Sequence, residues 1–212
     1  MKFIALDYGL KKTGIATAEA ALKIPTIKNS VGSDKLLKVL ENEIFKDGDI
    51  FIVGLPISMS GRYSTQTFKT IDFAIKLKNK FNSEVYLVDE RLTTQNSYLM
   101  TKDFLNSKKA KKKKDENSAL IILQRYLANP ANSIKLVSQK EYKIEYDESY
   151  NDKKILIDNV IIKNSKIYSI ADVYATDPYI FWWYFKRNVH STTLESDLEP
   201  PYDIIFNSKE VE

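Results

Sequence analysis

Lys2-Phe3-Ile4-Ala5-Leu6-Asp7, then Gly9, then Thr13-Gly14-Ile15-Ala16-Thr17, is the stretch on which the reading of this chain turns. The first run has the apolar continuity of a buried strand, Gly9 supplies a turn, and the second run returns beside the first. A following hairpin strand leaves Asp7 at the centre of a sheet, where ionising a carboxylate is costly without a compensating cation. An isolated Asp-x-Gly after a strand is more often an ordinary turn. Its neighbours give this one its interest.

Downstream, Ile24-Pro25-Thr26-Ile27 suits a third strand, which Pro25 would confine to an edge. Leu36, Leu37, Leu40 and Ile44 recur at helical spacing, with Ser33 as candidate N-cap. Ile50-Phe51-Ile52-Val53 reads as a strand that Gly54-Leu55-Pro56 ends. Phe68, Ile71, Ile75 and Phe81 mark a helix over 64–80, Val85 to Val88 a strand, and residues 93–105 another helix. The last helix of this part runs from Asp115 to Ala128 and stops before Pro130. Alternating strands and helices predict an α/β sheet with parallel crossovers, and such sheets place their sites at strand C-terminal ends. Asp7 and Glu90 fall at two such ends.

Beyond Asn129-Pro130-Ala131-Asn132 the texture changes. Tyr142–Tyr146 alternates like a half-exposed strand, Asp158-Asn159 resembles a hairpin turn, and Tyr168–Tyr174 and Tyr179–Tyr184 continue a β-rich pattern. The expected organisation is therefore a domain over 1–130 followed by a linker and a mostly β extension over 131–212, whose role the sequence leaves open. Charge divides in the same way. Residues 1–130 hold 22 Lys and Arg against 14 Asp and Glu, while residues 131–212 hold 10 against 14. A basic front segment favours a polyanionic partner. The extension could serve a homo-oligomer or a protein partner, and its Trp182-Trp183 pair suits a core or interface better than base stacking.

The 212 residues include no cysteine and one histidine, which excludes thiol nucleophiles, Cys/His zinc sites and multi-histidine sites. His190 is assigned no role. No apolar run approaches the roughly 20 residues of a membrane span, and the start meets a charge too soon for a secretory signal. A cytoplasmic address is expected.

Oxygen-only chemistry remains. Asp7, Glu90 and Asp115, each at an element end, can converge on one sheet rim and hold divalent cations. Two hard cations about 4 Å apart can activate water and neutralise a leaving alkoxide without a histidine base. Asp89-Glu90-Arg91-Leu92-Thr93-Thr94 is the most specific stretch. Neighbouring side chains alternate across a sheet, so one carboxylate can face the metal while the other supports the loop or Arg91. A solvated charge triplet with an ordinary cap at Thr93 or Thr94 is the plain alternative. Gly61 permits a tight loop from which Arg62 could reach a phosphate or simply solvent. Six lysines in Lys108–Lys114 abut Asp115 and suit phosphate contacts that carry little sequence information. Asp115 could instead only complement its helix dipole.

Taken together these segments resemble the YqgF (RuvX) family, a group associated with pre-16S rRNA processing and Holliday-junction resolution. The likeness runs through Leu6-Asp7-Tyr8-Gly9-Leu10-Lys11-Lys12-Thr13-Gly14-Ile15-Ala16 and Val53-Gly54-Leu55-Pro56. It continues in Val88-Asp89-Glu90-Arg91-Leu92-Thr93-Thr94, Asp115-Glu116-Asn117-Ser118-Ala119 and Ile122-Leu123-Gln124-Arg125-Tyr126-Leu127. Ser58 and Ser60 stand where the family often has Asn and Asp, and Ser118 replaces a small apolar residue. The resemblance ends near residue 130. It implies an RNase H-like mixed five-stranded sheet flanked by helices. It also implies that Asp7, Glu90 and Asp115 are catalytic carboxylates holding two Mg²⁺ or Mn²⁺ ions. Lys11, Arg62, Arg91 and Lys111, Lys112, Lys113 and Lys114 would then hold a nucleic-acid backbone, supported by Gly9, Gly14, Asp89 and Thr93. The expected activity is endonucleolytic cleavage of structured nucleic acid, at the 5′ end of pre-16S rRNA. A resolvase on branched DNA and a non-catalytic nucleic-acid or ribosome-associated binding protein are the alternatives.

Overall fold

The computed structural model describes residues 1–91 and 114–210, with the side chains of residues 114–117 excepted. The expected helix over 93–105, Thr93 and Lys111 to Lys113 lie outside these residues. Two compact units are present: Met1–Ile57 with Asp72–Leu136, and Ser58–Ile71 with Val137–Glu212.

In the first unit, β1 (Lys2–Tyr8), β2 (Lys12–Glu19) and β3 (Thr26–Gly32) form an antiparallel meander. Strands β4 (Ile50–Leu55) and β5 (Val85–Asp89) join parallel to β1 on its other side. The order β3-β2-β1-β4-β5 is the mixed five-stranded sheet expected from the resemblance, with β3 at one edge and Pro25 just before it rather than within it. A sixth, two-residue strand, β6 (Ile134–Lys135), pairs antiparallel with β5. It lies past Pro130, so this unit's sheet extends beyond the expected linker.

Each face of the sheet is covered by helix, and the strand alternation assigns the faces. Ala5, Ala16, Ala18, Ile52 and Val88 form a buried cluster with Ala119, Ile122, Leu123 and Tyr126 of a helix over Lys114–Ala128. Three alanines on β1 and β2 let that helix approach closely. On the opposite face Tyr8 stacks on Phe73, ring centroids 4.1 Å apart, and Phe51 packs against Phe45 and Phe81. The short α1 (Leu36–Val39) continues into a wider π-turn over Leu40–Ile44. Ser33 does not cap it. The residue before α1 is Lys35, with no side-chain cap, and Ser33 is engaged elsewhere, as described below. The helix α2 (Thr65–Phe81) begins in the second unit and ends in the first. The helix over Lys114–Ala128 is α3.

In the second unit, β8 (Ile155–Asp158) is the centre of a three-stranded parallel sheet between β10 (Ala171–Tyr174) and β11 (Ile204–Phe206). A separate pair joins β7 (Glu141–Tyr142) to β9 (Ile161–Ile162). The hairpin expected at Asp158-Asn159 is therefore absent from these residues, because β8 and β9 belong to different sheets. Asn159 has φ 50°, and its side-chain oxygen accepts from the backbone of Thr176 and Asp177. A residue that turns the chain and ties it to another segment mimics a hairpin turn in sequence. Helix α4 covers Ser165–Tyr168, where a strand was expected to begin.

Tyr179–Tyr184 is likewise helical rather than extended, within α5 (Pro178–Phe185). Asp177 caps it by accepting from the Tyr179 and Ile180 backbone, and Pro178 opens its first turn. Its apolar residues surround the helix, a pattern without the periodicity that separates buried helix from strand. Ile180, Phe181, Trp183 and Tyr184 are buried, and the Tyr184 hydroxyl accepts from Ile162 N–H and donates to the Val160 carbonyl.

Candidate active site

Three strand ends meet on the α3 face of the sheet. Ala5 packs against α3, so Asp7, two residues on, shares its face; Ile52 and Gly54 on β4, and Val88 and Glu90 at the end of β5, follow the same rule. Glu90 N–H donates to the Leu55 carbonyl at 3.1 Å, carrying the pairing one residue past β5. Strand β4 lies between β1 and β5. Gly54 is thus the floor between the two carboxylate-bearing strands.

That glycine is required by space rather than by conformation. A Cβ there would collide with Glu90 Oε1 and stand 2.5 Å from Ile122 Cδ1. Sequence reading assigns Gly54 to a strand exit, whereas it lies inside β4 and is covered by Glu90 and α3. Its missing side chain admits the Glu90 carboxyl to the sheet surface.

Electrostatics show that the carboxylates act on each other. Burial, then the nearby Asp7 charge, then Asp89, push the Glu90 carboxyl up to about 7, and Arg125 opposes the shift. Arg125 was not among the expected site residues. Its Nη1 donates to the Asp89 carbonyl at 2.9 Å, fixing the strand end from α3. Burial lowers its own proton affinity, and the charges of Asp89 and Glu90 raise it. The signal for it was present: an arginine amid the apolar run Ile122–Leu127 of a buried helix.

Asp89 lies on the other side of the strand from Glu90, and its carboxylate accepts from Arg91 N–H at 2.9 Å, Nε at 2.9 Å and Nη2 at 2.6 Å. Arg91 is thereby folded back onto its own strand end. Asp7 lies opposite Gly14 in the β1–β2 register. The turn after Asp7 is pinned by Ser33, whose Oγ donates to the Gly9 carbonyl at 2.6 Å and is 2.9 Å from Thr13 Oγ1. A Cβ on Gly9 would lie 2.5 Å from the Lys12 carbonyl oxygen, so the tight turn needs glycine there. Lys11 is exposed in this turn.

Lys114 and Asp115 are the first two residues of α3. Among the described residues no group of three or more His, Asp or Glu gathers around one point, and the Asp115 side chain lies outside them. Arg62 belongs to the second unit, in a tight loop where Gly61 has φ 92°. Its Nε donates to Asp197 Oδ2 at 3.3 Å and its Nη2 to Asp197 Oδ1.

Residues 1–129 match the family described as RuvX, Holliday junction resolvase. A protein of Thermotoga maritima named "Putative pre-16S rRNA nuclease" is 31% identical, over 99% of this chain and 87% of its own length. The chain belongs to the RuvX family. An equally named protein of Endomicrobium trichonymphae is 35% identical over 59% of this chain and 94% of its own length. The family match ends at residue 129, as the resemblance did, whereas similarity to the Thermotoga protein continues through the residues beyond 130. The Endomicrobium relative has almost nothing left over to correspond to them. Thermus thermophilus RuvC covers 64% of the chain with 14% identity and a TM-score of 0.41, too loose a likeness to carry an argument.

Proposed function

We propose that this RuvX-family chain is a divalent-metal-dependent endonuclease acting on structured nucleic acid, with precursor 16S rRNA as its substrate. The observation that carries the proposal is the Glu90 carboxyl lying over Gly54, pushed up to about 7 by its burial and by the nearby Asp7 charge. Two carboxylates that resist ionising together fit a place made for a cation. Asp7, Glu90 and Asp115 would hold Mg²⁺ or Mn²⁺, for which all-oxygen ligands are suited. When bound, two such ions supply an activated water and neutralise the leaving 3′ oxygen.

The chain's own residues complete the reading. Arg125 holds the Asp89 carbonyl and so places Glu90. Asp89 holds Arg91, while Ser33 holds the turn after Asp7. Lys11, Arg62, Arg91 and the lysines at 111–114 would engage the sugar–phosphate backbone, and residues 1–130 would form the nuclease domain. The names of the relatives favour RNA, whereas the family description favours a DNA junction; backbone contacts of this kind distinguish neither. A cytoplasmic site of action fits either substrate. Among the described residues no helix is long and apolar enough to cross a membrane. A homo-oligomer or protein partner engaging Tyr179–Tyr184 would have to use Tyr179 and Trp182, because the other four side chains are buried.

The test is cleavage of a precursor rRNA leader and a four-way DNA junction, side by side, with Mn²⁺ or Mg²⁺. Metal-dependent cutting by the wild type, lost in Asp7→Asn with binding retained, is expected. Full activity in a clean Asp7→Asn preparation would refute the site. Binding without cutting by the wild type would favour the non-catalytic reading.

A further inference from the structure

Within the second unit, the segment 58–71 is gripped by the C-terminal part of the chain at five points. Tyr63 donates to the Thr176 carbonyl at 2.9 Å and meets Phe181 edge to face at 5.0 Å. Phe68 stacks on Phe185 at 4.5 Å, and Thr193 Oγ1 donates to the Gly61 carbonyl at 3.0 Å. The fifth point is the pair Arg62–Asp197. There the carboxylate takes the Nε and Nη2 edge of the guanidinium, the fork with which arginine binds a phosphate in two-pronged fashion. Asp197 is also held from behind, since Thr192 Oγ1 donates to its Oδ2 at 2.6 Å. The pair is accessible to solvent: the Arg62 side chain is 54% exposed and that of Asp197 29%.

We infer that Asp197 is a resident phosphate mimic, which a nucleic-acid phosphate must displace from Arg62 before that arginine can contribute to binding. This rests on the proposed nucleic-acid substrate but not on cleavage. A carboxylate and a phosphodiester oxygen pair compete for the same donors, and in the free protein the carboxylate is tethered beside them. The extension therefore sets how much of Arg62 is available, and favours substrates whose local phosphate density is high enough to win the exchange. Structured RNA or branched DNA, with strands converging, meets that requirement better than an isolated single strand. Glu195, two residues away, carries the same charge without contacting Arg62 among the described interactions, and so provides the control.

The experiment measures equilibrium binding of full-length protein to a labelled RNA hairpin and a labelled four-way DNA junction, with chelator present, across a salt series. Asp197→Asn, which keeps an acceptor for Thr192, should bind about 3- to 10-fold more tightly than wild type at 0.1 M salt. Its log–log salt slope should steepen by about 0.7–0.9, the value of one added phosphate contact. Arg62→Ala should abolish that gain in the Asp197→Asn background, and should cost less affinity in the wild-type background, where the phosphate must first displace Asp197, than in Asp197→Asn. Glu195→Gln should leave the slope unaltered.

Equal affinity and slope for Asp197→Asn and wild type would overturn the inference. So would an equal gain in Glu195→Gln, which would reduce the effect to bulk charge. Binding of neither probe by any variant would overturn both this inference and the proposed substrate class. Wild-type binding and cleavage with an inert Asp197→Asn would remove this inference alone. The predicted gain without any metal-dependent cleavage would keep it and remove the nuclease.

Discussion

Gly54→Ala is the smallest perturbation that tests the site, because one methyl group enters the floor between Asp7 and Glu90. Gly54 lies in strand β4 and its backbone conformation suits alanine, so the cost is steric. The new Cβ would stand 2.5 Å from Ile122 Cδ1 and 3.1 Å from Glu90 Cδ. Ordinary contact begins near 3.4 Å, so the shortfall against Ile122 is about 1 Å. Ile122 is locked in the α3 interface, 1% exposed, whereas Glu90 can swing away. Overpacking of this size costs about 1–3 kcal/mol. Alanine also restricts the unfolded chain, which returns roughly 0.4–1 kcal/mol. The clash is the larger effect. A net loss of about 1–2 kcal/mol should lower Tm by roughly 2–8 °C. The functional consequence should be larger than the loss of stability, because the yielding side chain is the candidate ligand. Thermal melts with chelator, and Mn²⁺ titration calorimetry of the same variant, would measure both. A Tm within 1 °C of wild type together with unchanged Mn²⁺ binding would refute the packing argument and, with it, the placement of Glu90 over Gly54.

Glu90→Gln should change the pH dependence of stability in metal-free protein. The carboxyl is raised from its ordinary 4.5 to about 7, so the fold binds its proton more tightly than the unfolded chain does. Its contribution is most favourable below the unfolded value, declines as pH rises, and is lost above about 7. The span is on the order of 3 kcal/mol. Chemical denaturation at pH 5 and pH 8 should show the variant gaining on wild type at the higher pH; parallel curves would contradict the shift. Mn²⁺ should reverse the ranking, stabilising wild type more. Tyr184→Phe should destabilise the second unit by about 1–3 kcal/mol, because Ile162 N–H is left buried without its acceptor. Urea denaturation would check this, and a loss under 0.5 kcal/mol would show that water reaches the amide.

The first unit was legible because its signals were local. Asp7 follows a continuous apolar run, and α3 repeats its apolar positions at helical spacing. Ordered motifs around Asp7, Val53-Gly54, Asp89-Glu90 and Asp115 were enough to reach the family from residues alone. Strand alternation even foretold that Asp89 and Glu90 must part company, and the structure has Asp89 holding Arg91 while Glu90 lies over Gly54.

Tertiary structure decided what depends on distant partners. Gly54 read as punctuation, yet it is a space occupied by a side chain 36 residues away and by a helix further on. Ser33 read as a helix cap, but the turn after Asp7 takes its hydroxyl. α5 read as strand because an all-round apolar run has no period to reveal; its cap at Asp177 and the burial of Ile180, Phe181, Trp183 and Tyr184, with the Tyr184 hydroxyl bonded to Ile162 of β9, settle it as helix. Arg62 read as reaching either a phosphate or solvent, and only the folded second unit brings Asp197, 135 residues later, to its guanidinium. Composition, order and local periodicity can announce a carboxylate or an arginine. Whether that charge is exposed, buried or already paired is set by the chain that folds against it.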